Sequence, residues 1–314
     1  MQHLLLALLL DRAPEPPLEQ TLQGILDALP ARSSLHAKHL PTGREIAIRA
    51  DDPMNPLSVI KIPIMVLAYR DSEAERLDLD SRYAILPSDR RRGSGLLQTF
   101  TPGLSPTYRD LVTQMIVTSD NTATDLLIER LGLDRVNALL EEMGFRETRL
   151  LRTTGTLFRR VWERKDPRNA RLTDAEVFEL GFPDDAGAFE RAFDFEGDPK
   201  EWLGRITARE STRLLEEIHG GSIASRASCD EMIAILRQQF YSSRIPRFLP
   251  DGVEAAHKTG DWPPIAGNDV GILIYAGGPT VISVFVNQNR GDFMKVEEAI
   301  GEIARTLVEA WGAR

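Results

Sequence analysis

Cysteine and histidine are scarce: Cys229 is the only thiol, and five histidines are spread over 314 residues. A single cysteine excludes a disulfide framework and a thiolate metal site. His3, His36, His39, His219 and His257 form no ligand constellation. His36 and His39 fall in a predicted strand, where an i, i+3 pair points to opposite faces. A zinc hydrolase is therefore poorly supported, and neither metal nor cofactor is expected. Long apolar runs are also missing, and none approaches the roughly 20 residues a bilayer-crossing helix needs. Leu4–Leu10 has no Lys or Arg before it and runs straight into Asp11-Arg12. It reads as a buried N-terminal segment rather than a signal peptide, which argues for a cytoplasmic chain. Basic blocks are absent as well: net charge is −9 and the pI about 5.2. The Arg90-Arg91-Arg92 triplet reads as a solvated loop, so nucleic acid is not an expected partner.

What is present is ample for a core, with 42% hydrophobic and 27% charged residues. After the Pro-rich Ala13–Pro17 linker, Leu18, Leu22, Ile25, Leu26 and Leu29 keep helical spacing. Strands are predicted over 34–40 and 45–49, then over 253–259, 270–275 and 281–286, with a Gly277-Gly278-Pro279 hairpin turn. Val296, Ile300, Ile303, Leu307 and Trp311 form the apolar face of a final helix. Between the two strand groups, from Ser58 to about Gly220, the pattern is mostly helical. Residues 159–205, rich in charge and turn formers, read as an irregular excursion. Strands from both ends must then meet in one sheet. The expected fold is α+β: a five-stranded antiparallel sheet flanked by N- and C-terminal helices, with an inserted all-helical subdomain.

Three short strings carry the chemistry. Ser58-Val-Ile-Lys61 opens an apolar helix over 57–69, and the i, i+3 spacing sets Lys61 one turn above the hydroxyl. That helix N-terminus offers free N–H groups to a developing oxyanion. A lysine in such apolar company can lose its proton easily enough to act as a base. Ser119-Asp120-Asn121 joins two predicted helices, where its bland reading is a helix cap. Lys258-Thr259-Gly260 ends a predicted strand, and its glycine would let a substrate backbone lie close. Any one string alone carries little weight. Together they supply a nucleophilic hydroxyl, an amine to deprotonate it, and a second hydroxyl–amine pair to shuttle the proton, which is acyl transfer without histidine.

In this order and on these elements, the three strings resemble the class A branch of the serine β-lactamase and penicillin-recognising superfamily. The resemblance spans about residues 18 to 311. It includes Gly93-Ser-Gly-Leu-Leu-Gln98, Ile206–Leu215 and Asn268-Asp269-Val270-Gly271. It implies one β-lactamase-like domain over 1–314, with a sheet subdomain from 18–57 and 221–314 and a helical subdomain over 58–220. It also implies a small-molecule substrate (a β-lactam, ester or amide) and export from the cytoplasm, against the reading of the N-terminus; the sequence leaves the oligomeric state open, a monomer being favoured. Ser58 would attack the carbonyl and Lys61 would take its proton. Ser119 would relay a proton to the leaving group, with Lys258 keeping that relay electropositive. Backbone N–H groups of Ser58 and Asp261 would form the oxyanion hole. Asn121 would bind the substrate amide, Thr259 and Gly260 would line the carboxylate end, and Arg290 would either pair with the carboxylate or stand as a solvated surface arginine.

One departure matters. The class carries a glutamate, in a Glu-x-x-Leu-Asn string, that activates the deacylating water. In register from Thr148-Arg-Leu-Leu-Arg152, that position reads Thr154, followed by Leu157 and Phe158. A threonine hydroxyl is no general base near neutral pH. Glu163, Asp166, Glu176, Glu190, Asp194 and Glu196 are left as candidate replacements, and the sequence does not choose among them. Acylation of Ser58 is expected, with slow turnover of ordinary penicillins. A penicillin sensor that stays acylated, an esterase or D-alanyl peptidase, and a relic of the fold without a reactive serine are the alternatives.

Overall fold

The computed structural model describes residues 17–312 apart from residue 102, so the Leu4–Leu10 stretch lies outside it. In chain order the elements are α1 (Leu18–Asp27), β1 (Arg32–His39), β2 (Arg44–Ile48), α2 (Lys61–Glu73), α3 (Tyr108–Val117), α4 (Asn121–Leu131) and α5 (Leu133–Glu142). Next come β3 (Arg149–Leu150), α6 (Thr154–Lys165), α7 (Asp174–Leu180), α8 (Ala188–Gly197), β4 (Gly204–Arg205), α9 (Ala208–Gly220) and α10 (Arg226–Leu236). The chain closes with β5 (Glu254–Trp262), β6 (Ala266–Ile274), β7 (Thr280–Asn287) and α11 (Phe293–Gly312).

Five strands form one antiparallel sheet in the order β2-β1-β7-β6-β5. Its middle, where Leu35 lies opposite Val284, joins the two ends of the chain. β7 is buried along its whole length because both of its faces are covered. Ile282, Val284 and Val286 face a core with Leu22 and Leu26 of α1 and Ile300, Ile303 and Leu307 of α11. Val281 and Phe285, one residue out of phase, face the helical core around α2. Each such fully buried side chain stabilises the fold by roughly 1.5–3 kcal/mol. The α+β architecture is the one the sequence pattern requires.

Three details differ from the sequence reading. β5 and β6 reach Trp262 and begin at Ala266, beyond the expected ends, with Gly260 opposite Asn268. Gly260, Asp261, Gly267 and Asn268 look like strand breakers, but here they pair across one ladder. Residues 159–205 are largely helical rather than irregular. Thr153 caps α6 by accepting from Thr156 N–H, and Thr173 forms a capping box with Glu176 on α7. Lastly, the Arg90–Arg92 triplet is no solvated loop. Buried Arg91 pairs with Asp125 at 2.7 Å and Asp174 at 2.9 Å, while Arg90 and Arg92 lie over the Phe178 ring.

Candidate active site

Ser58 sits in a 3-10 turn over Leu57–Ile60 that runs directly into α2. Pro63 therefore falls in the first turn of the α-helix, where its missing N–H costs nothing. The turn is held from several sides. Asn55 Oδ1 accepts from Leu57 N–H at 3.2 Å, and Asn268 Nδ2 donates to the carbonyls of Asn55 and Pro56. Leu57 takes a positive φ of 49°, a conformation disfavoured for a bulky residue. Ser58 itself is partly exposed.

Lys61, Ser119 and Lys258 converge. Lys61 Nζ, fully buried, lies within hydrogen-bond distance of Ser119 O (2.7 Å), Ser119 Oγ (3.3 Å) and Asn121 Oδ1 (2.8 Å). Lys258, also fully buried, donates to Ser119 Oγ at 3.0 Å and to its neighbour's carbonyl, Thr259 O, at 2.8 Å. Ser119 reaches both amines because the α3–α4 junction turns sharply there, with φ +57°. Asp120 caps α4 by accepting from Ala123 N–H at 2.9 Å, so the capping reading of the string holds alongside the convergence. Gly93 and Gly95, both at positive φ, let the 93–97 loop pack on this junction, and Ser94 Oγ donates to Ser119 O at 2.7 Å. Burial first, and the neighbouring Lys258 second, hold Lys61 well below the usual lysine range. Burial brings Lys258 down to about 7.

β5 passes hard against the nucleophile turn. A Cβ on Gly260 would stand 2.5 Å from Pro56 O and 3.2 Å from Ser58 N, so only glycine fits. Thr259 Oγ1 is buried with no hydrogen-bond partner among the described residues. The structure does not bring Arg290 to this cluster. It is exposed, pairs with Glu190 at 3.2 Å and lies over Phe193, because the chain turns outward after β7. The arginine at this end of the cleft is Arg244, which is 2% exposed. Its Nη2 pairs with Asp261 Oδ1, whereas Nε and Nη1 have no hydrogen-bond partner among the described residues. The following residue is anchored by Ile245 N–H donating to Asp269 at 3.0 Å, and Asp269 is in turn held by His257 at 2.9 Å. No local motif marks Arg244 in the sequence.

Ser58, Ser119, Asn121 and Asp261 open onto one cleft of about 460 Å³, whose wall includes Thr154, Leu157, Phe158, Val161, Phe182, Leu203 and Trp262. Thr154 is buried at the start of α6, where its hydroxyl donates to Asp125 Oδ1 at 2.8 Å. Asp125 also accepts from Thr154 N–H at 2.7 Å and Gly155 N–H at 2.8 Å, so it caps α6. Among the residues lining the cleft the only carboxylate is Asp261, and Arg244 holds it. The candidate replacement bases lie elsewhere. Glu163 and Asp166 pair with Arg160 and Arg168, Glu176 caps α7, Glu190 pairs with Arg290, and Asp194 is exposed. Glu196 is buried but binds Asn55 and Gln288.

A sequence model of the β-lactamase enzyme family matches residues 17–311. The β-lactamase of Streptomyces albus G is 24% identical over 94% of this chain and 84% of its own length. The solved β-lactamase from Sphaerobacter thermophilus is 28% identical, covers 95% of this chain and 97% of its own, and superposes with a TM-score of 0.75. PBP-A, at 24% identity and a TM-score of 0.72 over 96% of this chain and 99% of its own, shares the fold.

Proposed function

The chain belongs to the β-lactamase enzyme family and is a hydrolase of the serine β-lactamase type, and from that premise we propose that it works through an acyl-enzyme on Ser58. Lys61, whose burial holds it well below the usual lysine range, takes the Ser58 proton as the hydroxyl attacks the acyl carbon. The oxygen that becomes negative is received by the N–H groups of Ser58 and Asp261, each such donor being worth about 3–4 kcal/mol in the transition state. Ser119, hydrogen-bonded to both amines, passes a proton to the leaving nitrogen or oxygen. Asn121 orients the substrate amide. The unpartnered Thr259 hydroxyl and the free N–H groups of Arg244 receive a substrate carboxylate, a part the sequence reading held open for Arg290.

The finer reading is slow turnover of ordinary penicillins. The observation that carries it is Thr154: its hydroxyl is committed to Asp125, and Leu157 and Phe158 beside it offer no polar group to hold a water. With no carboxylate base on that wall, deacylation falls to Lys61, which suits ester and amide acyl-enzymes better than bulky penicilloyl ones. The same observation favours the second reading, a sensor that acylates and stays acylated. Turnover of a chromogenic cephalosporin and of an aryl ester, each against Ser58→Ala, separates them. The proposal expects measurable ester hydrolysis, much slower cephalosporin turnover, and neither in the variant. Acylation without any turnover supports the sensor, and turnover equal to that of Ser58→Ala with no acylation of Ser58 refutes both.

A further inference from the structure

We propose that the small apolar chamber behind Phe182 and Trp262 is a subsite for the far end of an extended alkyl or aryl acyl group carried by the substrate that acylates Ser58. The proposal rests on Ser58 acylation and specifies which acyl groups the site takes. The main cleft and a second cavity of about 80 Å³ share Val161, Phe182 and Trp262, so the second adjoins the first through an apolar boundary.

Polarity along this path is uneven. Ser58, Ser119, Asn121 and Asp261 gather at the reacting end, whereas the wall contributed by α6 is Leu157, Phe158 and Val161. Beyond the boundary the lining includes Ala188, Ala192 and Phe195 of α8. The two alanines stand i, i+4 on one helix face, and their small size keeps the chamber open. Aromatic packing frames the entrance: Phe158 meets Phe182 edge-on at 5.1 Å, and Phe195 lies 5.8 Å from Trp262. Phe182 stays 46% exposed, an apolar face on the cleft rim that a passing chain would cover.

Two arginines also line the chamber, and their charges are already answered. Arg191 pairs with Asp185 at 2.5 Å, and Arg164 lies 3.9 Å from Glu201. Their aliphatic stems therefore add apolar surface rather than an anion site. An uncharged chain is the occupant this lining selects. All of these residues belong to the 154–197 segment or to Trp262, the same segment that puts Thr154 and Phe158 on the wall.

The test is kcat/KM on p-nitrophenyl acetate, butyrate, hexanoate and octanoate with the full chain, after subtracting Ser58→Ala. Burying a methylene changes the rate about fourfold. The expected rise from acetyl to octanoyl is at least thirtyfold. Ala192→Phe, which fills the chamber, lowers the octanoyl-to-acetyl ratio at least tenfold. Ala188→Leu is the second filling variant should the first fail to fold, and the wild-type series stands without either. A flat series on an enzyme whose Ser58 a fluorophosphonate still labels overturns the subsite and leaves the acyl-enzyme reading intact. A rise untouched by a folded filling variant also overturns it. No labelling of Ser58 by any probe overturns both.

Discussion

Two buried lysines share one serine hydroxyl, and neither has a carboxylate directly on it. Lys61 donates only to neutral oxygens, so its burial and the neighbouring Lys258 outweigh the attraction of Asp120, Asp125 and Asp261 and hold it well below the usual lysine range. Lys258 is different: at about 7 it changes charge within the working range. Its folded pKa lies below the usual lysine value, so its positive charge is present below about pH 7 and is lost above it. If that charge keeps the Ser119 relay electropositive, kcat/KM for ester hydrolysis falls as pH rises through about 7, because this ratio reports the free enzyme. Lys258→Met abolishes that descending limb and lowers the rate at pH 6 by about 10²-fold or more. A descending limb retained in the variant contradicts the assignment. Ser58, Lys61, Ser119 and Lys258 were legible because each lies in a short string whose order along the chain is itself informative. Arg244 was not. Its place depends on a turn being drawn beside β5 by Asp269, a contact across 24 residues. For Arg290 the sequence offered both a carboxylate partner and a solvated surface arginine, and in the structure it is exposed and paired with Glu190.

At the scale of elements, the site is a seam between the 3-10 turn at Ser58, the α3–α4 junction and the edge strand β5. The seam is tightest at Gly260. Gly260→Ala would force β5 from Pro56 O and move the Asp261 N–H relative to Ser58. The expected result is an acylation rate lower by about 10²-fold, since an ångström of misplacement has that effect, with about 1–3 kcal/mol of lost stability. Stopped-flow acylation and thermal unfolding check the two parts separately, and a variant acylating at the wild-type rate refutes the seam. Hydrophobic periodicity located all five strands and helices α1, α2, α3, α4 and α11, but it stopped short of the ends of β5 and β6, where function sets the residues. Gly260, Asp261 and Asn268 serve the nucleophile turn, and such residues resemble strand breakers. The 159–205 segment was illegible for another reason. Its helices are short, charged and held by caps and ion pairs, such as Arg160 with Glu201 at 2.6 Å, rather than by a long apolar stripe.

Across the whole molecule, α8 reaches the nucleophile turn through one buried carboxylate. Glu196 accepts from Asn55 Nδ2 at 3.3 Å and from Gln288 Nε2 at 2.7 Å, and Asn55 in turn holds Leu57. Burial pushes Glu196 up to about 7. A carboxyl raised above its unfolded value stabilises the fold in protonated form, fully below about pH 4.5 and not above about 7. Glu196→Gln keeps an acceptor oxygen and cannot ionise. Its Tm relative to wild type should therefore climb by a few degrees between about pH 5 and about pH 8.5. A difference constant across that range contradicts the assignment. The sheet's pairing of the two chain ends was legible at this scale, whereas Glu196 stood as one of six equivalent carboxylates, because only packing distinguishes them. The account as a whole is tested most directly by intact-mass and peptide mapping after incubation with benzylpenicillin. It predicts one penicilloyl group per chain, on the peptide carrying Ser58, persisting long after the free drug is removed. An unmodified chain, or a label on any other residue, would contradict it.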